Sequence, residues 1–422
     1  MTEMAQVVQD DELVALADQF DPARAMDTLT ALCVEELSGR GLGSAGHDRA
    51  GQWLVDHLTG LGLVPEPHSF QVPEVFRLAA APALAVSGPR LSGELEHRRD
   101  YAEHPRSAAM EAPVTGTAVC WDGTPVADAW TVLDVVPQGT AFAELADQLG
   151  EAGGLGLLTP QDPDGSGFLT KRTVGAPAVR LPVVAVRSDL LKQLSGSTVS
   201  AYVPVRRAAA TGTNFVAALP GSAGAGRPIL VTAHYDGVGA DPGRHFQCAG
   251  DNASGVAVVS EVARVLIESG TPHARPIQIA VLDAEEHGAL GSKHHAAELV
   301  AAGQRPDVLN VDMAGKFNGT VAVELGSDTR PIIGALDRAG KLLRIPLAAG
   351  QVASDNRQYA GAGMPAAGIG FGAAHYHSPL DSLDRIDPEA VRKAGRLLLV
   401  TIAHLAAQAS TDGHDNKNFG KE

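Results

Sequence analysis

Apolar residues recur along the chain at more than one spacing, and the changes in spacing divide the sequence. In residues 21–37 and 47–60 the apolar positions fall three or four residues apart. This spacing predicts two amphipathic helices. From about residue 76 to 210, short apolar runs are separated by glycine and proline, with one helical stretch at 141–152. Such runs predict β-strands, and we interpret 76–210 as a β-rich inserted domain.

A third pattern follows residue 211, where continuous apolar runs alternate with longer helical segments. The apolar runs predict strands at 228–233, 277–282, 308–311 and 366–370. The helical segments predict helices at 253–268, 292–302, 332–343 and 388–407. Strands that are apolar on both faces require helices on both sides of their sheet. The predicted fold class is therefore α/β, with three layers in which a mixed, mainly parallel sheet is flanked by helices, and with a smaller β-rich inserted domain.

These patterns predict three parts of the chain. The early helices and the later strands are assigned to one discontinuous α/β domain, which comprises 10–75 and 211–409. The inserted domain comprises 76–210. The polar tail at 410–422 is expected to be flexible.

Charge and cysteine content argue against several classes of function. The chain of 422 residues has 49 acidic residues against 33 Lys and Arg, a formal charge of −16. An excess of acid repels phosphate backbones and anionic lipids, so we expect neither nucleic acid nor a membrane as a partner. The cysteines, Cys33, Cys120 and Cys248, are far apart and odd in number. They predict no disulfide framework, which fits a reducing compartment.

The start of the chain and its apolar runs indicate a cytoplasmic location. The first thirty residues are rich in acids and contain no apolar run flanked by basic residues, so no secretory signal peptide is predicted. The longest apolar stretches fall short of the ~20 residues that a transmembrane helix needs. We therefore expect a cytoplasmic protein.

Acids and a histidine lie where the predicted strands end. His234, Glu286 and Asp312 each follow a predicted strand, and Asp251 directly precedes a predicted helix. Because the carboxyl ends of strands in an open α/β sheet open onto one crevice, these side chains are expected to gather there. Three carboxylates so close together repel one another unless cations lie among them. Oxygen and imidazole ligands without thiolate suit Zn²⁺, Mn²⁺ or Co²⁺, and a shared carboxylate suggests two ions about 3.5–4 Å apart.

Each of these signals has an ordinary explanation when it is taken alone. Asp251 could cap the helix that follows it, and the neighbouring acids Glu285 and Glu286 could be solvated loop residues. His234 could be a surface or capped histidine. Their coincidence at four sites favours a metal centre. Within such a centre, Asp236 would lie on the same side of the extended segment as His234, where a carboxylate orients a metal-bound imidazole.

Six motifs occur in one order and together resemble the M28 family of zinc aminopeptidases. The motifs are His234–Asp236, Gly250–Gly255, Glu285–Glu286 with Gly288, Asn310–Asp312, Ser354–Asp355 and Tyr376–Pro379. They cover about residues 212–405, and the helical segment 40–62 also resembles the start of the family. The resemblance implies the zinc exopeptidase fold, of the phosphorylase/hydrolase-like type. The inserted segment resembles, more loosely, the protease-associated domain that is often inserted in this family.

The resemblance also implies a set of metal ligands. It predicts two Zn²⁺ ions per chain, with Mn²⁺ or Co²⁺ as possible substitutes. The implied ligands are His234 and Asp312 for one ion, Glu286 and His377 for the other, and Asp251 bridging both. His375, two residues before His377, is the competing candidate for the last ligand.

Other residues receive roles from the same resemblance. Asp236 would orient His234, and Glu285 would be the general base. The hydroxyl of Tyr376 would help to hold the oxyanion. The peptide bond between Asp251 and the residue after it would be cis. The implied activity is that of a dinuclear zinc exopeptidase, which hydrolyses the N-terminal peptide bond of peptides or aminoacyl amides through a hydroxide that bridges the metals.

The chain departs from the family at one place on the substrate side. Where many members read Ser-Asp-His, this chain reads Ser354, Asp355 and Asn356, followed by Arg357. Asp355, Asn356, Arg357 and Tyr359 face the substrate in the resemblance. An arginine there could bind a carboxylate with both arms of its guanidinium, or it could be a surface residue.

This departure keeps other reactions open. The alternatives are a carboxypeptidase, a dedicated amidohydrolase of a small amide metabolite, and an acyltransferase of the glutaminyl cyclase type. The intact set of His234, Asp312, Glu285 and Glu286 favours the hydrolytic reaction with two metals. The expected partner is a peptide or a small amide substrate.

Overall fold

The computed structural model describes residues 9–174, 177–220, 222, 226–270 and 273–407. The predicted tail at 410–422 and the last two residues of the predicted α/β domain lie outside the described residues. The α-helices are α1 Asp10–Ala17, α2 Pro22–Leu32, α3 Ala45–Gly60, α4 Thr140–Glu151, α5 Ser188–Leu191, α6 Ser254–Glu268, α7 Leu290–Ala301, α8 Arg330–Leu343, α9 Asn356–Gly361 and α10 Pro388–Ala407. Short 3₁₀ turns occur at Glu35–Arg40, Glu285–His287 and Leu383–Arg385, and a π turn at Ala249–Ala253.

The strands form two separate sheets. They are β1 Glu66–Leu78, β2 Ala83–Ser87, β3 Ser92–Glu94, β4 Tyr101–Glu103, β5 Val114–Cys120, β6 Ala129–Val132, β7 Gly156–Gln161, β8 Val183–Arg187, β9 Thr198–Tyr202, β10 Val205–Ala218, β11 Ile229–His234, β12 Ile277–Leu282, β13 Asp307–Asp312, β14 Val321–Leu325, β15 Leu347–Ala349 and β16 Ala366–Gly370. The main sheet has the order β1-β10-β12-β11-β13-β16-β14-β15, and the second sheet has the order β3-β2-β9-β5-β6-β7-β8-β4.

The centre of the main sheet is parallel and its edges are mixed. Strands β12, β11, β13 and β16 pair in parallel, as do β14 and β15. The pairs β1 with β10, β10 with β12, and β16 with β14 are antiparallel. The predicted mixed, mainly parallel sheet is confirmed.

Helices cover the main sheet on both faces, as the apolar strands require. Successive residues of a strand point to opposite faces. Ile229 and Val231 of β11 belong to the large apolar cluster that includes residues of α2, α6, α8 and α10, whereas Leu230 packs with Leu299 of α7 and Tyr359 of α9. β11 and β13 are buried along their whole length. These contacts give the three predicted layers.

The second sheet is built from the segment 79–204, which lies between β1 and β10 in the chain and which we call the inserted segment. β1 and β10 pair antiparallel from Glu66 with Val216 to Leu78 with Val205, so one long ribbon leads out of the main sheet and back. The sheet encloses a core of its own around Trp130, Val184 and others. The predicted boundaries at 76 and 210 fall within this ribbon, and they stay predictions.

Local sequence explains where the early helices begin and end. Asp21 caps α2 by accepting from the backbone of Ala23, and Pro22 fits the first turn because that position needs no amide donor. Ser44 caps α3 in the same way, by accepting from the backbone of His47. The predicted helix at 21–37 is shorter than expected, because α2 stops at Leu32 and a 3₁₀ turn follows. Among the described residues, no helix is both long and apolar enough to cross a membrane.

Candidate metal centre

Three neighbouring parallel strands end at the same edge of the main sheet and position most of the predicted site residues. His234 is the last residue of β11, and Asp312 is the last residue of β13. Glu285 and Glu286 lie in the 3₁₀ turn just after β12. Two loops add Asp251, before α6, and His377, after β16. The topology therefore gathers the predicted ligands in one crevice.

The side chains form two groups, each able to hold a metal ion. The first group is His234, Glu285 and Asp312, and the second is Asp251, Glu286 and His377; within each group the candidate ligand atoms all lie within 4.8 Å of one another. His234 Nε2 is 3.6 Å from Asp312 Oδ1. His377 Nε2 is 2.8 Å from Glu286 Oε2.

Asp251 lies between the two groups. Its Oδ1 is 3.3 Å from His234 Nε2, and its Oδ2 is 3.3 Å from His377 Nε2. One carboxylate thus presents one oxygen to each histidine. This is the arrangement expected of a ligand shared by two ions.

The donor atoms fit zinc. Four of them, His234 Nε2, Glu286 Oε1, Asp312 Oδ1 and His377 Nε2, are buried and make no hydrogen bond of good geometry among the described residues. Buried polar atoms without a partner are unfavourable, and a cation bound among them would satisfy all four. Imidazole nitrogens and carboxylate oxygens without thiolate are a common zinc ligand set.

Electrostatics in the crevice reflects the crowding of like charges. Burial disfavours a charged His234, yet the carboxylates of Asp312 and Glu285 outweigh it and raise the pKa of the imidazole well above its usual value. Burial, with Asp312 and other acids nearby, raises the pKa of Glu285. Burial and the neighbouring Asp251 raise the pKa of Glu286 to about 6. Bound cations would relieve this repulsion.

Asp236 contacts both strand-end motifs. Its carboxylate accepts hydrogen bonds from the backbone amides of Glu285 at 3.0 Å and Glu286 at 3.2 Å. Asp236 Oδ1 is 3.4 Å from His234 Nδ1, and its backbone carbonyl is 3.2 Å from the same nitrogen. Asp236 therefore ties the turn that bears the two glutamates to the first histidine.

The motif search missed Asp381, which holds the loop that carries Asp251. Its carboxylate accepts from the backbone amides of Gly250 at 2.7 Å and Asp251 at 3.1 Å. The next peptide bond, Asp251–Asn252, is cis, as the resemblance implies. Asp381 lies four residues beyond His377 in the same loop, and this proximity to a motif is the only sequence signal that it gives.

Arg40 holds the neighbouring loop and was also missed as a functional position. Its guanidinium is fully buried and donates to the backbone carbonyls of Tyr235, Leu32, Gln247 and Cys248. An arginine can span several carbonyls at once because its guanidinium is a rigid fork of donors. Asp381 and Arg40 therefore both hold the backbone of the loop that leads to Asp251.

The residues expected on the substrate side are not all brought to the ligands. Asp355 is brought there: it is fully buried and close enough to His234 and Asp312 to interact with them electrostatically, and burial raises its pKa to about 7. Asn356 is also buried, at the start of α9. Tyr359 lies in the apolar cluster under the sheet, where its hydroxyl meets His295 Nδ1 at 2.9 Å.

Arg357 lies near the surface and is engaged by an acid. Its side chain is 47% exposed, and its Nε donates to Glu324 Oε1 at 2.7 Å. The other oxygen of Glu324 accepts from the backbone amides of Val352 and Ala353, both at 2.7 Å. Arg357 is therefore held against β14.

Tyr376 and His375 flank the last ligand. The ring of Tyr376 stacks on that of His377 with 3.6 Å between centroids, and the tyrosine is 48% exposed. His375 Nε2 meets Arg385 Nη1 at 3.2 Å, away from the two groups. The geometry favours His377 over His375 as a ligand.

Comparison with known proteins supports the resemblance. Residues 214–402 match Peptidase family M28. A curated relative, Aminopeptidase YwaD of Bacillus subtilis (strain 168), is 30% identical over 190 residues, which cover 41% of this chain and 40% of that protein. Another, Leupeptin-inactivating enzyme 1 of Streptomyces exfoliatus, is 29% identical over 230 residues, 47% of this chain and 49% of that protein. The chain thus matches less than half the length of either curated relative.

A solved structure covers nearly the whole chain. The Peptidase M28 precursor of Shewanella amazonensis SB2B superimposes with a TM-score of 0.73 at 20% identity, over 95% of this chain and 97% of that one. At this identity the likeness shows the fold alone. It extends through both sheets.

Proposed function

Because residues 214–402 match Peptidase family M28, we propose that the protein is a dinuclear zinc aminopeptidase. Its substrates would be peptides or aminoacyl amides with a free α-amine. The observation that carries the proposal is the position of Asp251 between two groups of buried, unpartnered donor atoms. The name Aminopeptidase YwaD, borne by a relative, agrees with this activity.

Five side chains would hold the metals. We assign His234 and Asp312 to one ion, Glu286 and His377 to the other, and Asp251 to both. Bound Zn²⁺ lowers the pKa of water towards 7 and polarises a carbonyl. Glu285 belongs by distance to the first group, but Asp251 Oδ1 lies nearer to His234 Nε2, at 3.3 Å against 4.0 Å for Glu285 Oε2. We therefore assign Glu285 to proton transfer.

The protein's own groups would then act as follows. Glu285 accepts a proton from the attacking water and returns it to the leaving amine. Asp236 fixes the backbone of Glu285 and so sets the position of that carboxylate. Tyr376, stacked on His377, offers its hydroxyl to the developing oxyanion. The acidic crevice suits the positive α-amine of a substrate.

The carboxypeptidase and amidohydrolase alternatives rest on Arg357. Since the Nε of this arginine donates to Glu324, one edge of its guanidinium is already occupied. A two-armed grip on a substrate carboxylate would require it to leave that partner. We therefore rank the aminopeptidase first.

A matched substrate panel tests the proposal. Each aminoacyl amide is offered with a free and with an acetylated α-amine, to the zinc-loaded protein with and without chelator. We expect cleavage of the free-amine members alone, and its loss with chelator. Cleavage of acetylated or carboxylate-bearing members would instead support a carboxypeptidase or amidohydrolase.

A further inference from the structure

Lys171 of the inserted segment contacts the candidate metal centre. The backbone amide of Lys171 donates to the carbonyl of His377 at 2.9 Å. In return, the ring nitrogen Nδ1 of His377 lies 2.9 Å from the carbonyl oxygen of Lys171. A carbonyl can only accept, so this contact requires the proton of His377 on Nδ1. Nε2 faces Glu286 and Asp251, and it would give up its own proton on binding a metal ion.

A buried cluster of charges holds Lys171 in place. Its side chain is 7% exposed, its Nζ is 2.9 Å from Asp241 Oδ1, and it donates to the carbonyl of Ala240 at 3.1 Å. Asp241 lies in the loop that follows β11, so the ion pair joins the inserted segment to the main-sheet part of the chain. The opposite charge and the hydrogen bond offset the cost of removing the ammonium group from water.

Arg98 strengthens the same anchor from a second point. It is fully buried, and its Nε and Nη2 donate to the two oxygens of Asp241 at 2.7 Å and 3.1 Å. The carbonyl of Arg98 accepts from the backbone amide of Leu169, two residues before Lys171. The segment that carries the Lys171 carbonyl is therefore held by the side chain of Lys171 and by the backbone of Leu169.

Among the described residues, the other histidine, His234, has no hydrogen bond to the inserted segment. His234 Nδ1 meets the carbonyl oxygen and the carboxylate of Asp236, which is two residues away in the same strand-end motif. The groups that orient His234 thus belong to the main-sheet part of the chain. The groups that orient His377 come from the inserted segment.

We propose that Lys171 is a positioning residue for the metal site of Asp251, Glu286 and His377. Its carbonyl orients His377, and its side chain, bound to Asp241, keeps that carbonyl in register. The affinity of this one site for zinc then depends on the docking of the inserted segment, whereas the affinity of the His234 site does not. This inference rests on the proposed two-metal centre.

Zinc titration of the full-length metal-free protein against a competing chelator tests the proposal. The parent should bind two ions, and His377→Ala identifies the step that belongs to the second site. In Lys171→Met that same step should weaken by about 10–100-fold, the usual effect of losing a group that orients a ligand. The other step should stay unchanged. Asp241→Asn leaves Lys171 intact, removes its anchoring charge and should shift the same step.

Arg187→Met provides the control. Arg187 pairs with Asp100 and Asp189, both within the inserted segment, and should leave both steps unchanged. Equal weakening of both steps in Lys171→Met and Asp241→Asn would mean a general effect on folding and would overturn the proposal, as would no change in either. A parent that binds fewer than two ions would instead contradict the proposed function.

Discussion

The two histidines of the centre are oriented by different regions of the molecule. His234 ends a central strand, and its second nitrogen meets Asp236 in the same motif. His377 lies in a loop with a positive φ of 54°, and its second nitrogen meets Lys171 of the inserted segment. The first ligand is thus fixed by the sheet itself, and the second by a contact between two parts of the fold. In the proposed two-metal centre, we call the His234 site the built-in half, because the main-sheet part of the chain orients its histidine. We call the His377 site the assembled half, because the inserted segment orients its histidine.

Replacement of Glu285 should change the activity most, and it tests whether this residue is a metal ligand in the His234 group. Glu285 lies within ligand distance of that group, but we assign it to proton transfer. Glu285→Gln should therefore keep two zinc ions while kcat falls by about 10²–10⁴-fold, the usual contribution of a general base. Metal analysis and steady-state kinetics on the same sample measure both. Loss of one ion would make Glu285 a ligand instead.

Acid should lower the stability of the inserted segment, which contacts His377 through Lys171. Burial lowers the pKa of His104 to about 4, from an unfolded value near 6.5. Between these values the unfolded chain binds more protons, so stability falls as the pH drops from about 6.5 to 4. The shift corresponds to about 3 kcal/mol at 1.36 kcal/mol per pKa unit.

His104→Gln removes this titration, and melting curves from pH 4 to 8 measure the effect. The slope of melting temperature against pH should be shallower in the variant than in the parent. Parallel slopes would show that His104 does not carry the acid sensitivity.

Asp236→Asn should weaken zinc binding at both sites, not at one alone. Asp236 contacts His234 and also binds the amides of both Glu285 and Glu286, so it touches both groups. We expect both zinc steps to weaken by about 10–100-fold, in contrast to the single step expected for Lys171→Met. The same chelator titration applies. A shift confined to the His234 step would limit Asp236 to that ligand.

Glu389 lies at the surface, and its replacement should have the smallest effect and serve as a control. Arg392 and Lys393 lower the pKa of Glu389 to about 2. The stability that this exposed cluster adds is present above pH 4.5 and is lost as the pH falls towards 2, and it should be small because solvent screens it. Glu389→Gln should leave both zinc steps and the rate unchanged, with melting temperatures close to the parent. A zinc step that moves would show that such shifts are not specific to the centre.

For the built-in half of the centre, the sequence information is local. The strands β11, β12 and β13 are continuous apolar runs. His234 and Asp312 end β11 and β13, and Glu285 lies in the turn just after β12. Parallel pairing then gathers these residues whatever the loops do. The fold class follows from the same pattern and is confirmed.

The assembled half depends on contacts between segments that are distant in the sequence. Such contacts leave no repeating pattern of residues from which they could be predicted. Lys171 cannot be identified from the sequence, because the group that orients His377 is its backbone carbonyl, which every residue has. Asp381 is likewise defined by the amides that it binds, not by its spacing. Arg357 was expected to face the substrate, and its contact with Glu324 joins α9 to β14, two elements that are distant in the sequence.

The proposed function requires that Asp251 be shared by two zinc ions. An anomalous difference map, measured at the zinc edge on crystals of the zinc-loaded protein, would show these ions. We expect two peaks about 3.5–4 Å apart, one beside each oxygen of Asp251. A single peak, or two peaks of which only one contacts Asp251, would contradict it.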